Sequence, residues 1–495
     1  MPSGLVADPP RPAEADRWGQ PRQLWMLLGV TVGLNFAFYG FRAFLAPYIA
    51  QRFYGSLATG AAQQQADLLT SGFLALMYAT PIIGGYVADR ILGETRALSL
   101  SLWLCTLSLL LMALPTLPGF EIGLALFALA TGLGIPLTVL IGRNYAGNDP
   151  RRDSGYTLFY LAINLGSFVT PFVCADLIGR QFGYRWGFVA AAVGMALAAL
   201  LFELRRHKLD PLLPAGDHQH SPRAPWWVLL ATAVLVYPTA LLLSQPVVLR
   251  WAMYLLMGLL VLYFVVSCVR RGDRVQTQRY LALLLLFVAL VAFWALSLQG
   301  VTSLNFFARD HVDAPFHYTL FQAANPLYIL VFAPFAALLW PWLDRRQRDP
   351  STARKFGIGL LLVALSYGTT AWAIHHLGGA DGKVGWGVLA LCYLLQTLGE
   401  LALSPIGYAL VGQLAAPEDA SLAMGGWFFG YALAYQLAGW IATQTAAGAG
   451  AGASALSGMA DYAHVYGLLF WLGLTVAIVF LLAAPAIRRL MHGVR

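Results

Sequence analysis

Two ionisable side chains, Arg42 and Glu400, stand inside long apolar stretches of this 495-residue chain. A charge in such surroundings is costly unless it is paired or hydrogen-bonded. A guanidinium fork can hold a carboxylate through two parallel hydrogen bonds, and a carboxylate can hold an ammonium group. The pair therefore predicts a site for a small zwitterion, and a direct or water-bridged ion pair between Arg42 and Glu400 is the alternative.

A polar face accompanies Arg42 on its own segment. Asn35, Phe38, Tyr39 and Arg42 follow a spacing of i, i+3, i+4 and i+7, which places them on one side of a helix. Without Arg42, the two aromatic residues would indicate ordinary packing equally well. The spacing predicts that this face lines a ligand site.

The composition describes the environment of these residues. Apolar residues make up 59% of the chain and charged residues 11%, against roughly a quarter charged in soluble domains. The mean hydropathy is +0.66, and it arises from repeated apolar runs of about 20 residues, each long enough to cross a bilayer. The net charge of +8 lies in the loops between the runs, so nucleic acid is not expected as a partner. We predict an all-α polytopic membrane protein.

The apolar runs predict fourteen transmembrane helices in groups of six, two and six. Their predicted positions are 24–50, 66–92, 97–117, 121–145, 155–180, 184–205, 226–244, 251–270, 279–307, 318–343, 354–377, 384–413, 419–446 and 463–488. The predicted domains are a disordered cytoplasmic tail (1–23), an N-terminal six-helix bundle (24–205), a linker with an extra two-helix hairpin (206–278), a C-terminal six-helix bundle (279–489) and a second cytoplasmic tail (490–495).

The distribution of positive charge predicts the orientation. Most of the 31 Lys and Arg residues fall in loops on the side of the N-terminus if the helices alternate in direction. Cytoplasmic loops carry this excess, so both termini are expected in the cytoplasm, with the chain in a bacterial inner membrane. Asp67, Asp176 and Glu203 lie near predicted helix ends and are expected to be interfacial.

Several segments carry a family resemblance. Gly84–Arg96 resembles the loop after the second helix in the major facilitator superfamily, with Gly85, Asp89 and Arg90 as its conformational residues. Phe159–Phe168 resembles the signature of the proton-dependent oligopeptide transporter family. Phe293–Ala295, Gln322–Leu327 and Glu400–Gly407 are similar to further stretches of that family. The resemblance implies a major facilitator fold of two six-helix bundles, here with two intervening helices.

The chain departs from the family pattern at ionisable positions. Thr31 and Leu34 stand where the family has glutamates, and Asn35 stands where it has arginine. Ile135 replaces a lysine, and Leu298 replaces a glutamate. The resemblance therefore implies an atypical member in which Glu400 is the remaining mid-membrane group able to couple transport to protons.

Residue type and helix position, together with the resemblance for Asn164 and Asn325, predict a wider set of substrate contacts. The predicted substrate-binding residues are Asn35, Phe38, Tyr39, Arg42, Asn164, Trp294, Gln299, Asn325, Glu400 and Trp427. For the amides, an interhelical hydrogen bond is the alternative, and for the tryptophans it is core packing.

The implied function is secondary active import of di- and tripeptides or peptide-like zwitterions by alternating access, with protons as the coupling ion. The expected partners are the substrate and the lipid bilayer, around a monomer without cofactor or metal. An uncoupled carrier of another zwitterion or drug-like compound is the alternative. A membrane enzyme or sensor would need a catalytic dyad or a sizeable soluble domain, and the sequence has neither.

Overall fold

The computed structural model describes residues 19–145, 149, 151–213, 221–416, 419–446 and 455–493. Most of the predicted N-terminal tail and the last two residues lie outside this range. Eighteen α-helices are formed within it: α1 Arg22–Arg42, α2 Leu45–Phe53, α3 Thr59–Ala79, α4 Pro81–Val87, α5 Glu94–Met112, α6 Leu117–Gly132, α7 Pro136–Arg143, α8 Arg152–Thr170, α9 Tyr184–Arg205, α10 Ala224–Leu243, α11 Pro246–Arg271, α12 Arg274–Ser297, α13 Ser303–His311, α14 Ala324–Arg345, α15 Thr352–Leu377, α16 Trp386–Leu414, α17 Ala420–Ala446 and α18 Ala455–Leu490.

Shorter elements complete the described chain. Residues Ala88–Leu92 and Pro171–Arg180 form π-helical turns, and Arg206–Leu212, Leu298–Val301 and Tyr318–Ala323 form 3-10 turns. Two short strands, β1 (Val312–Asp313) and β2 (Val384–Gly385), pair in parallel. The structure is therefore almost entirely helical.

Thirteen helical segments among the described residues are long and apolar enough to cross a membrane. Helix α17 has a comparable length of 27 residues. It is less apolar because Tyr431, Tyr435 and Gln436 interrupt its apolar residues. With α17 the crossings number fourteen, as the sequence predicts.

Successive crossings alternate in direction, so an even number returns the chain to its starting side. Gly19 lies beside the start of α8, where its carbonyl accepts a hydrogen bond from Arg151 Nη1 at 3.2 Å. His492 lies beside the start of α12, in contact with Gln278. We call this the terminal side and the opposite end of the bundles the far side.

Two hydrophobic cores underlie the two bundles. One is built mainly on buried residues from Leu24 to Met253, and the other on residues from Tyr280 to Met491. Large aromatic side chains fill them, with Phe41, Phe127 and Phe188 fully buried in the first. Each bundle therefore has its own packed interior, and the surface between the bundles is left for the more polar residues.

The ninth crossing, predicted as one helix over 279–307, is broken. Helix α12 ends at Ser297, a 3-10 turn follows, and α13 begins at Ser303. Gln299 is fully buried in the turn, where its Nε2 donates to the carbonyl of Ala438 at 3.0 Å and its Oε1 accepts from Ser303 Oγ at 2.7 Å. These bonds satisfy polar groups at the break, which hydropathy alone does not detect.

Asp419 joins the extra hairpin to the second bundle. Its buried carboxylate accepts hydrogen bonds from Tyr263 (2.8 Å) and Ser267 (3.0 Å) of α11, from Tyr280 (2.6 Å) of α12, and from Arg271 (2.9 Å). Burial opposes the charged form, but these donors outweigh it and hold the pKa of Asp419 below its ordinary value. The hairpin is thus attached at the terminal side by a charged network.

The structure places the predicted conformational loop at the end of α4 and in the π-helical turn that follows. Gly84, rather than Gly85, makes the close helix contact, because a Cβ at Gly84 would lie 2.2 Å from the backbone of Gly132 in α6. A Cβ at Gly85 would meet nothing within 4 Å. Asp89 and Arg90 are exposed, and neither forms a salt bridge with the residues that the structure describes.

Gly84→Ala is expected to destabilise the first bundle, whereas Gly85→Ala should leave it almost unchanged. The added methyl group at Gly84 forces α4 away from the rigid backbone of Gly132, and overpacking of this kind costs about 1–3 kcal/mol. Thermal unfolding of the purified variants in detergent measures the difference. Equal melting temperatures for the two variants would contradict the assigned contact.

Candidate substrate-binding site

A cavity of about 110 Å³ lies between the two bundles near the middle of the crossings. Its walls come from α1, α3, α12, α14, α16 and α17, so both bundles contribute. The lining residues are Tyr39, Arg42, Tyr78, Trp294, Ser297, Leu298, Gly300, Gln322, Asn325, Pro326, Tyr393, Gln396, Glu400, Tyr431 and Tyr435. Polar and aromatic groups dominate this set, in contrast to the apolar cores on either side.

Arg42 enters the cavity from the last turn of α1. Its guanidinium carbon lies 4.9 Å from the ring centre of Tyr39 and 5.8 Å from that of Phe38, and these cation–π contacts hold the side chain. Its Nε has no hydrogen-bond partner among the described residues. The guanidinium is therefore positioned in the cavity and remains available to an acceptor.

Glu400 enters from the opposite bundle. Asn325 Nδ2 donates to Glu400 Oε2 at 2.9 Å and to Thr397 Oγ1 at 3.0 Å, which fixes the carboxylate against α14. Within the described part of the chain, no ion pair joins Glu400 to Arg42, although the two interact electrostatically. The direct ion pair considered as an alternative is therefore absent, and opposite charges face the cavity from opposite bundles.

An aromatic wall separates the two charges from the bundle cores. The Tyr78 ring lies 5.4 Å from those of both Tyr431 and Tyr435, and Trp294 lies 5.1 Å from Tyr431, measured between ring centres. Trp294 Nε1 and Ser297 Oγ have no hydrogen-bond partner among the described residues. Buried polar atoms are normally satisfied, so these two atoms and Arg42 Nε are the candidate groups for contacts with a ligand in this cavity.

The cavity brings together half of the ten predicted binding residues: Tyr39, Arg42, Trp294, Asn325 and Glu400. The other five lie elsewhere: Asn35, Phe38, Asn164, Gln299 and Trp427. Asn35 and Asn164 donate to backbone carbonyls of their own helices, those of Thr31 and Tyr160. These two contacts satisfy the amides within α1 and α8.

The remaining three predicted residues make structural contacts outside the cavity. Phe38 is buried, with its ring stacked 6.2 Å from Phe127. Gln299 closes the helix break described above. Trp427 is 2% exposed and packs against Phe356, beside an apolar groove next to the hairpin. These positions follow from the rotation of each helix, which sequence spacing does not determine.

The structure also adds residues that the sequence analysis did not single out as site residues. Tyr78, Gln322, Tyr393, Gln396, Tyr431 and Tyr435 line the cavity. The signal available was the i, i+4 spacing of Tyr431 and Tyr435 on a helix rich in small residues. This spacing points to Tyr431 and Tyr435 but not to the other four residues.

The positions where the resemblance expects ionisable groups are occupied by neutral residues in the structure as well. Leu298 lines the cavity, so its side chain stands where a titratable group would face the ligand. Thr31 is fully buried and donates to the Leu27 carbonyl at 2.8 Å. Among the described residues that line the cavity, Glu400 is therefore the one that carries a carboxyl group.

The far side of the cavity is closed by contacts between the bundles. Asn305 Nδ2 donates to the Ala43 carbonyl at 3.1 Å, and the hydroxyl groups of Tyr184 and Tyr318 lie 3.4 Å apart. Gln64 Nε2 donates to the Thr443 carbonyl at 3.2 Å. In this conformation a ligand in the cavity is separated from the far side.

The two helical bundles meet around a polar cavity at the midplane, and contacts between them seal one end of it. This arrangement defines a secondary transporter of the major facilitator type. The model of the POT family matches residues 97–457. The chain belongs to the POT family. Membership in this family makes the protein a transporter and not an enzyme.

Curated relatives match over nearly the whole chain. A dipeptide and tripeptide permease B of Edwardsiella piscicida is 30% identical over 96% of this chain and 96% of its own length. A peptide transporter of Yersinia enterocolitica subsp. palearctica is 32% identical over 86% of this chain and 88% of its own length.

Solved structures agree with these relatives. A crystal structure of the peptide transporter POT in complex with sulfate has a TM-score of 0.82 and 29% identity, covering 97% of this chain and 98% of the other. A POT family transporter in complex with 5-aminolevulinic acid has a TM-score of 0.80 and 25% identity, covering 96% and 98%.

Proposed function

We propose that the protein imports di- and tripeptides or peptide-like zwitterions into the cytoplasm by alternating access. The observation that carries the proposal is the pair of opposite charges in one cavity: Arg42 from the first bundle, whose Nε has no acceptor among the described residues, and Glu400 from the second. A zwitterion places its carboxylate at Arg42 and its ammonium at Glu400. It thereby joins the two bundles whose relative motion transport requires.

The aromatic wall suits the rest of such a ligand. Tyr78, Trp294 and Tyr431 present ring faces to apolar side chains, and Trp294 Nε1 with Ser297 Oγ can donate to peptide carbonyl groups. The relatives named as peptide transporters support this substrate class, and the bound 5-aminolevulinic acid of one neighbour is a small zwitterion of the same type. A carrier of another small zwitterion is the second candidate.

Protons are the proposed coupling ion, with Glu400 as the titrating group. The carboxyl group is held by Asn325 and faces both the cavity and the Arg42 charge, so its protonation changes what the cavity can bind. Leu298 and Thr31 cannot take this role. Coupling through Glu400 alone links the proton and the ligand ammonium to a single carboxylate.

We also infer that the terminal side faces the cytoplasm and that the protein acts as a monomer in the bacterial inner membrane. The excess of Lys and Arg in the terminal-side loops supports the orientation. A cysteine introduced at the exposed Ser221 should react with a membrane-impermeant reagent from the cytoplasmic side, and reaction from outside would reverse the assignment.

Uptake by proteoliposomes tests the function directly. We expect accumulation of labelled dipeptides when the vesicle interior is made more alkaline than the medium, and competition by unlabelled di- and tripeptides. N-acetylated and amidated dipeptides, which lack one terminal charge each, should compete poorly because one of the two cavity charges is then unpaired. Equal competition by the blocked peptides would favour a different substrate class.

A further inference from the structure

Asp67, predicted from the sequence to be interfacial, is a buried carboxyl group without a hydrogen-bond donor among the described residues. The side chain is 1% exposed, in the third turn of α3, on the far-side half of the molecule. Neither carboxyl oxygen has a hydrogen-bond partner among the described residues. The other acidic groups expected at the interface do have partners, since Asp176 pairs with Arg180 and Glu203 with Arg206.

Buried carboxylates elsewhere in the described chain are satisfied. Glu94 accepts from Arg143 Nε at 2.8 Å, and Asp419 has the four donors given above. An ionised carboxylate buried without donors costs several kcal/mol, which a protonated carboxyl group avoids. The surroundings of Asp67 therefore fit the neutral acid.

The location of Asp67 ties it to the contact between the bundles. Ser71, one turn further along α3, bonds to the Asp67 carbonyl and packs directly on Gly439 of α17, where an added Cβ would overlap the serine hydroxyl. Gln63, one turn before Asp67, donates to Asp310 Oδ2 of α13 at 3.4 Å. Asp67 thus lies between two contacts that close the far side.

Two charged or titratable groups on the surrounding elements interact electrostatically with Asp67 among the described residues. Arg309 of α13 favours the ionised form, but its Nε and Nη2 are both bonded to Asp310 at 2.7 Å. Tyr462 of α18 is the other group. Gln436, about one turn before Gly439 on α17, is neutral, and its Nε2 has no partner among the described residues. The arrangement supplies no free counter-charge to an ionised Asp67 while the bundles stay closed.

We propose that Asp67 is a second proton-binding site, at which protonation permits closure of the far side. With the bundles apart, water can solvate an ionised Asp67. With the bundles together, α17 and α13 displace that water and the carboxyl group must carry a proton. Because the closed state then binds one more proton than the open state, acid favours closure by up to about tenfold in the closed-to-open ratio per pH unit.

This inference requires alternating access but not a particular substrate, so its test can be separated from that of the proposed function. Spin labels attached at Leu57→Cys and Lys383→Cys lie on exposed far-side loops of opposite bundles. The background variant is Cys268→Ser, because the other three native cysteines are buried. Double electron–electron resonance measures the distance between the two labels, without peptide, between about pH 8 and about pH 5.

In the otherwise native protein, we expect the short-distance population to grow as the pH falls. Asp67→Asn, which mimics the neutral acid, should give the short distance at every pH, and Asp67→Ser provides a second neutral side chain if the first variant is poorly folded. Asp176→Asn removes a partly exposed carboxylate that already has a partner and should retain the native pH response.

Three results would overturn the proposal. The first is a distance distribution in the native protein that does not change with pH. The second is an Asp67→Asn variant that responds to pH as the native protein does. The third is closure of the native protein by sodium at constant alkaline pH, which would make the site one for a metal cation. Failure of peptide uptake with an intact Asp67-dependent pH response would contradict only the proposed substrate.

Discussion

Arg42→Ala is expected to abolish peptide binding while the protein still folds. The guanidinium is held over Tyr39 and has no acceptor on its Nε among the described residues, so it contributes to ligand binding more than to the packing of α1. Its removal leaves a ligand carboxylate inside the protein without its counter-charge. Loss of one partner of such a charge pair costs on the order of 2–5 kcal/mol, or roughly 30-fold to several thousandfold in affinity.

Calorimetric titration of the purified variant with a dipeptide measures this loss, and thermal unfolding confirms the fold. Arg42→Lys keeps the charge but not the two-pronged geometry, so its affinity should fall between those of the native protein and Arg42→Ala. Arg180→Ala is the matched control, since that side chain is 61% exposed and pairs with Asp176. If Arg42→Ala binds the dipeptide with native affinity, Arg42 is not part of the binding site.

Glu400→Gln is expected to eliminate accumulation of peptide driven by a pH gradient. The amide keeps an oxygen that can accept from Asn325, so the local packing is preserved while the titrating group and the negative charge are lost. The ligand ammonium then lacks its counter-charge, which should weaken binding by the same order of 2–5 kcal/mol. Proteoliposome uptake with and without an imposed gradient separates the two effects.

Glu203→Gln serves as the control for this experiment, because Glu203 pairs with Arg206 near the terminal side and lies outside the cavity. It should accumulate peptide as the native protein does. If Glu400→Gln still accumulates peptide strongly, another group carries the proton. Asp67 would then be the first alternative, whereas His317 is a weaker one, because burial and the neighbouring Arg180 lower its pKa and its ring is held by Thr319.

Arg42, Glu400 and Asn325 could be selected from the sequence because each is a strongly polar group in an apolar helix. Such a position is rarely tolerated without a role, so residue type was informative for Arg42 and Glu400, whereas Asn325 was selected because the family resemblance added to it. Asn164 and Gln299 satisfied the same criterion, yet both bond to backbone or neighbouring side chains outside the cavity. Whether a polar side chain faces a ligand or its own helix depends on helix rotation and on local breaks.

For Asp67 the sequence predicted contact with water, whereas the structure buries the side chain. Its place at the start of the predicted helix 66–92 indicated nearby water, but α3 already begins at Thr59. The packing of α17 and α13 over α3 removes that water, and this contact joins residues more than 200 positions apart in the chain. No local pattern in a sequence records such a contact.

The resemblance of short segments to a known family implied the two-bundle architecture. The sequence by itself determined the membrane class and the fourteen crossings. These properties depend on residue type and on spacing along the chain, because each crossing must satisfy its own backbone and bury its own apolar length. Only the tertiary structure decided which polar groups share the central cavity, which glycine forms the close helix contact and which carboxyl group is left without donors. Those properties depend on how separate helices rotate and pack against each other, and the packing energy is shared among residues distant in the sequence.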